Sequence, residues 1–180
     1  MTHTSVWKGR KGIMAWEVRF LYWLQTYYRS PQRTCFWYAV TWCGYAASMP
    51  VLASAILLLI PEYQMTGWAS LSAIGIIEVL FNHILKRIIS RERPFVAHPE
   101  LTAIGRLPKD KSFPSGHTSS AFACALIFAL RLSLWAGIPA LVFAAMIAFS
   151  RLYLSVHYPT DVIGGILAAV IVDRIVLILY

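Results

Sequence analysis

Apolar positions run in long stretches along most of the chain, and polar residues gather at their ends. Residues 35–60 include no charged side chain and are closed by Pro61 and Glu62. A second stretch covers 68–85, interrupted by Glu78, Asn82 and His83, and three more cover 118–130, 132–150 and 160–180. Crossing a hydrocarbon core takes about 20 apolar residues in a helix. The pattern therefore predicts an all-α, polytopic membrane helix bundle with five spanning helices. The connections are short except for residues 86–117, and a long connection in a compact bundle usually carries function.

Residues 13–28 break the pattern, because Glu17, Arg19 and Gln25 interrupt a stretch too short to span. At about 100° per residue, Trp16, Phe20, Trp23, Leu24 and Tyr27 share one side, with Ala15, Arg19 and Thr26 opposite. Flanked by Lys8, Arg10, Lys11 and Arg29, this reads as an interfacial helix in the headgroup plane, with a short sixth span as the alternative. No short apolar core followed by a small-residue cleavage site is present, so a cleavable signal peptide is not expected. The expected organisation is one membrane domain over 1–180, with an interfacial segment at 1–33 and a catalytic loop at 86–117.

Composition agrees. Hydrophobic residues make up 58% and charged residues 13%, against about 45–50% and 25% in a soluble domain. With a mean hydropathy of +0.61, the balance excludes a disordered chain, a collagen-like fibre and a disulfide-stapled miniprotein. The net charge of +8 is concentrated in 1–33 and 86–111. Basic segments between apolar stretches suit a bilayer with anionic headgroups rather than a nucleic acid. Cys35, Cys43 and Cys124 have no metal-ligand spacing and read as small apolar residues.

Alternating spans bring three polar clusters to one face: Lys86 with Arg93; Ser115, Gly116 and His117; and Arg151 with His157 and Asp161. Asp161 is the one acid in the set, so no carboxylate pair is offered to Mg²⁺ or Zn²⁺, and neither a metal nor another cofactor is expected. The cluster suits an anion, with phosphate the natural candidate. Pro114 is expected to start a helix, leaving the backbone N–H groups of Ser115 and Gly116 free to cradle a phosphate oxygen. Asp161, in the first turn of the last helix, can accept from Nδ1–H of His157 and leave Nε2 free to attack. His117 then donates a proton to the leaving oxygen. Lys86, Arg93 and Arg151 balance the charge of the transferring phosphoryl group. Glu78 and Asn82 precede Lys86 at four-residue steps. They read either as a layer that positions Lys86 or as internal hydrogen bonds to a neighbouring helix. Arg87, Arg91 and Arg106 read as a basic surface.

These residues fall into three motifs. "KRIISRERP" matches Lys-x6-Arg-Pro, "PSGH" matches as it stands, and "SRLYLSVHYPTD" matches Ser-Arg-x5-His-x3-Asp. Together they resemble the three-part signature of the type 2 phosphatidic acid phosphatase superfamily, the lipid phosphate phosphatases. The resemblance implies a phosphohistidine on His157, His117 as acid then base, and Asp161 as orienter. It also implies phosphate ligands at Lys86, Arg93, Ser115, Gly116 and Arg151, with no metal. "RPFVAH" followed by "SFPSGHT" is similar to bacterial undecaprenyl diphosphate phosphatases, and phosphatidylglycerophosphate, phosphatidate and lipid A phosphatases are alternatives. Vanadate-dependent haloperoxidases use a similar anion pocket but are soluble, which this composition opposes. A non-catalytic phospholipid binder or transporter would be favoured if His117 or His157 were missing, and both are present. A positive-inside count points the motif face toward the cytoplasm, but Lys86, Arg93 and Arg151 belong to the pocket and leave that count. The resemblance implies an extracytoplasmic site on a bacterial inner membrane, and that is the expectation.

Overall fold

The structure, a computed structural model, describes residues 13–180. Lys8, Arg10, Lys11 and the rest of 1–12 lie outside the described residues. Helix α1 (Ile13–Trp23) runs on as a π-helical turn, Leu24–Tyr28. Helix α2 (Pro31–Cys43) begins with Pro31 in its first turn, and Ser30 Oγ accepts the Arg33 N–H at 3.3 Å, an N-cap that satisfies one orphan donor. Helix α3 (Ser48–Leu58) is bent 45° from α2 across a break where Ala47 sits at φ 56°. Helix α4 (Gln64–Ile76) continues through π-helical Ile77–Leu85 into α5 (Lys86–Ile89), and Ser90 at φ 47° ends the run. The short α6 (Pro94–Ala97) and an irregular loop lead to α7 (Gly116–Arg131), α8 (Leu134–Tyr153) and α9 (Pro159–Leu179).

Among the described residues, Pro61–Ala97, Leu134–Tyr153 and Pro159–Leu179 are long and apolar enough to cross a membrane, and the bent α2–α3 pair passes the same test only when its two helices are taken together. The remaining expected span, α7, has 16 residues. It lies at the centre, against α3, α4, α8 and α9. Its buried Ser119, Ser120, Ala121, Ala123 and Ala125 let backbones approach closely, as small residues do between membrane helices. At Gly165 of α9, a Cβ would stand 2.8 Å from the Ser115 carbonyl oxygen, so the start of α7 rests on the α9 backbone. On the outer surface Leu59, Trp135 and Ile178 are all more than four-fifths exposed, as lipid-facing side chains are in a bundle without its bilayer. The chain is an integral membrane protein.

Helix α1 presents Trp16, Trp23 and Tyr27 outward, as expected, but Leu24 departs from that stripe and is buried. Of the residues expected opposite, Arg19 and Thr26 are exposed and Ala15 is buried, while Val18, Leu21 and Leu24 form a buried strip that packs on Leu101 and Tyr158. Arg29 fastens this packing by donating from Nη2 to the Tyr153 carbonyl and Ser155 Oγ, each at 2.9 Å, and from Nη1 to the Thr102 carbonyl at 2.7 Å. Asp173 is also buried, in α9, with neither carboxylate oxygen hydrogen-bonded among the described residues.

Candidate active site

A cavity of about 970 Å³ opens where α2, the α4–α5 run, the loop before α7 and the α8–α9 junction meet. Lys86, Arg93, Gly116, His117, Arg151 and His157 line it, with Tyr38 and Trp42 of α2 on the apolar side. All six come from helix termini or loops, where side chains can converge from several elements without crossing the apolar core.

His157 precedes α9 by two residues and is 2% exposed. Its Nε2 lies 3.2 Å from Arg93 Nη1. A guanidinium only donates, so Nε2 offers its lone pair and Nδ1 carries the proton of the neutral ring. Burial first, then the charges of Arg93, Arg151 and Lys86, push the imidazole pKa well below its usual value, which keeps the ring neutral at neutral pH. Nδ1 stands 3.5 Å from Asp161 Oδ2, longer than an ordinary hydrogen bond. Asp161 has closer partners: the Tyr158 N–H donates to Oδ2 at 2.9 Å, and Arg91 Nη1 donates to Oδ1 at 2.7 Å.

Arg91 corrects one expectation. Arg87 and Arg106 are exposed, but the Arg91 side chain is only 17% exposed and joins Asp161 to Glu17. Its guanidinium also lies 3.9 Å from the centre of the Tyr158 ring. Sequence reading passed over Glu17 as well. The one available signal was its spacing with Leu21 and Leu24, which places an acid on the same helix side as two apolar residues.

On the loop side of the pocket Arg93 joins Lys86 at Asp110. Lys86 Nζ donates to Oδ2 at 2.5 Å, and Arg93 Nη2 donates to Oδ1 at 2.8 Å. The loop backbone is held too, since Arg93 Nε donates to the Asp110 carbonyl at 2.7 Å. Partial burial works to raise the Asp110 carboxyl, but the hydrogen bond and charge of Lys86, followed by Arg93, hold it down at about 2. Asp110 thus occupies two cations that the sequence assigned to phosphate.

The turn before α7 differs in detail from expectation. Pro114 does not start the helix; Ser115 caps it and Gly116 opens it. The Ser115 N–H is not free, because it donates to the Asp161 carbonyl at 3.0 Å. Ser115 Oγ accepts from Thr118 Oγ1 at 2.9 Å and keeps its own proton to donate. The N–H groups of Gly116 and His117 precede the bond from the Ser119 N–H to the Ser115 carbonyl, so they belong to the open end of the helix. At Gly116 a Cβ would meet the Asn82 amide at 2.7 Å, and Glu78 Oε1 accepts from Ser120 Oγ at 2.8 Å. The Glu78–Asn82 stripe therefore faces α7 rather than Lys86, because the π-helical stretch departs from the spacing behind the expectation. Deeper in, Arg151 Nη1 donates to Thr41 Oγ1. Arg151 Nε and His117 Nε2 are both enclosed with no hydrogen-bond partner among the described residues. A cavity with two unused enclosed nitrogens beside two cations is suited to a multiply charged oxyanion.

Comparison with known proteins bears on the same segment. Among curated relatives, the undecaprenyl-diphosphatase BcrC of Bacillus subtilis is 37% identical over 100 residues, 54% of this chain and 50% of that protein. A decaprenylphosphoryl-5-phosphoribose phosphatase of Mycolicibacterium smegmatis is 36% identical over 121 residues, 67% of this chain and 64% of that protein. The chain thus matches about half to two thirds of these relatives' length. Two solved structures share the fold. A transmembrane PAP2 type phosphatidylglycerolphosphate phosphatase of Bacillus subtilis superposes with a TM-score of 0.75 at 22% identity, covering 94% of this chain and 86% of that one. LpxE of Aquifex aeolicus superposes with a TM-score of 0.74 at 26% identity, covering 87% and 92%. The profile of the PAP2 superfamily matches residues 66–180, the stretch that carries all three motifs. By that match the chain belongs to the PAP2 superfamily.

Proposed function

We propose that the chain is a membrane phosphatase that hydrolyses a lipid phosphate or diphosphate, with undecaprenyl diphosphate the leading substrate. One observation carries the reading: the Nε2 lone pair of a neutral, buried His157 lies in a cavity with Lys86, Arg93 and Arg151. Nε2 attacks phosphorus, the bond to the lipid-side oxygen breaks, and His117 supplies that oxygen with a proton. His117 then takes a proton from water as the water attacks the phosphohistidine, which releases inorganic phosphate and restores both rings. Arg93 and Lys86 exchange Asp110 for the phosphoryl oxygens, Arg93 Nη1 at the same time releasing the His157 Nε2 lone pair, and the Gly116 N–H, Ser115 Oγ–H and Arg151 complete the cradle. These groups supply the positive charge of the transition state, so the mechanism calls for no metal or cofactor.

We place the pocket on the extracytoplasmic side of a bacterial inner membrane, where a recycled lipid carrier would present its headgroup. The test of the chemistry is phosphate release in detergent micelles from undecaprenyl diphosphate, phosphatidylglycerophosphate, phosphatidate and lipid A. It is run with EDTA and with vanadate. EDTA-insensitive, vanadate-sensitive release supports the reading, and binding without release returns the chain to the binder class. For the side of the membrane, single cysteines at Gln64 and Ala103 meet an impermeant thiol reagent on intact cells. Labelling at Ala103 and not at Gln64 is expected.

A further inference from the structure

The motif side chains do not stand alone at the start of α9. Glu17 of α1 is fully buried. Its Oε1 accepts from the Thr160 N–H at 3.0 Å and from Thr160 Oγ1 at 2.6 Å, and its Oε2 accepts from Arg91 Nη2 at 2.7 Å. Arg91 Nη1 continues the chain to Thr160 Oγ1 at 2.6 Å and to Asp161 Oδ1 at 2.7 Å. Both oxygens of both carboxylates are thereby engaged. Two buried carboxylates around one helix terminus would repel each other without a cation between them, and Arg91 is that cation. The Thr160 N–H is an orphan donor of the first turn of α9. A side chain from the other end of the sequence satisfies it.

We infer that Glu17 and Arg91 are positioning residues for phosphoryl transfer, fixing the rotamer of Asp161 so that its Oδ2 faces His157. The inference rests on the reading of His157 as nucleophile and Asp161 as its orienter. Arg91 fills a variable position of Lys-x6-Arg-Pro, and Glu17 lies before the matched stretch that begins at residue 66. The physical logic is that of a base held by a carboxylate, extended by two links. Arg91 occupies Oδ1, the Tyr158 N–H holds Oδ2 with His157 Nδ1 3.5 Å from it, and Glu17 keeps the guanidinium fork from rotating. An arginine suits this place because its planar fork reaches Thr160, Asp161 and Glu17 at once, which a lysine cannot do.

The experiment compares Glu17→Gln, Arg91→Lys and Arg91→Gln with wild type, alone and in an Asp161→Asn background. Turnover is counted per monodisperse, vanadate-binding enzyme. Each single variant should lose about 10- to 100-fold in kcat, the scale of an outer hydrogen-bond partner, while KM and vanadate inhibition shift by less than about two-fold. In the Asp161→Asn background each should cost less than a further two-fold or so, because residues acting as one unit are not additive. Arg91→Gln leaves two buried carboxylates without their cation and can fail to fold; Glu17→Gln and Arg91→Lys then decide. Unchanged kcat in those two, or losses fully additive with Asp161→Asn, would overturn the inference. Full turnover in Asp161→Asn itself would instead remove the orienter role on which the inference stands.

Discussion

At the start of α9, Asp161 and Glu17 are buried around Arg91, and the ion pairs there close on themselves. On the loop side, Lys86 and Arg93 share Asp110, whose side chain is 53% exposed. One wall therefore holds its charges permanently, while the other holds a carboxylate that water reaches and another anion can replace. Under the proposed phosphatase reading, the contrast separates two tasks of phosphoryl transfer. The nucleophile must be fixed before substrate arrives, because orientation is where much of the barrier is removed. The cations must accept a charged substrate and then release a charged product, and an exchangeable counter-ion keeps them from binding either one too tightly.

The largest test strikes the fixed wall. His157→Ala should reduce kcat by at least about 10⁴-fold, the scale for removing a covalent nucleophile, and abolish acid-labile, base-stable phosphate labelling of the enzyme. Equal labelling in wild type and variant would remove histidine from that role. His117→Ala should cost about 10²- to 10⁴-fold, the usual range for a lost general acid, on a lipid phosphomonoester. On a diphosphate, whose departing oxygen is already acidic, the loss should be much smaller. The ratio of the two losses therefore reports whether a proton is delivered to the leaving group.

Asp110→Asn probes the exchangeable wall. Half-exposed ion pairs are worth about 0.2–1 kcal/mol, so removing this internal competitor should lower KM and the vanadate inhibition constant by about two- to five-fold. A rise in KM would mean that Asp110 arranges the two cations instead of competing for them, and the contrast between the walls would collapse. The smallest expected effect is a flat line. His157 is depressed well below its usual pKa of 6.5, and its attacking form is neutral. On a diphosphate, whose departing oxygen needs little help from His117, kcat/KM should stay level on acidification through about pH 6.5, once the substrate's own ionisation is divided out, and fall only at lower pH. Asp110, at about 2, adds no titration above pH 4 or so. An acid limb centred at or above 6.5 would indicate that the free enzyme holds His157 in a more solvated setting, farther from its neighbouring cations.

Much of this was legible in the chain because it follows from period and parity. The apolar stretches gave the helices of the bundle, of which three, or four with the bent α2–α3 pair, are long and apolar enough to span, and alternation of sides brought Lys86, Ser115, His117, Arg151 and His157 to one end. Local backbone choices were less legible. The cap at Ser115 and the commitment of its N–H to Asp161 depend on how α9 packs under α7. The π-helical stretch that turns Glu78 and Asn82 toward α7 has no signature in residue type. Arg91, Asp110 and Glu17 were missed for a further reason. A charged side chain in a basic loop or an amphipathic helix looks solvated until its counter-charge is located, and these counter-charges lie 74, 70, 24 and 17 positions away in sequence.

The anchoring of α1 and α2 also bears on modularity. A chain cut to residues 66–180 would keep every motif by which the superfamily is matched. It would lack Glu17, whose carboxylate closes the ion-pair chain behind Asp161, and Thr41, which accepts from Arg151. It would also lack Arg29, which ties the 102 and 153–155 segments together. The stretch matched by motif is thus smaller than the set of residues that holds the pocket together, and transplanting it onto another helical scaffold would carry the motif side chains without the contacts that hold them still.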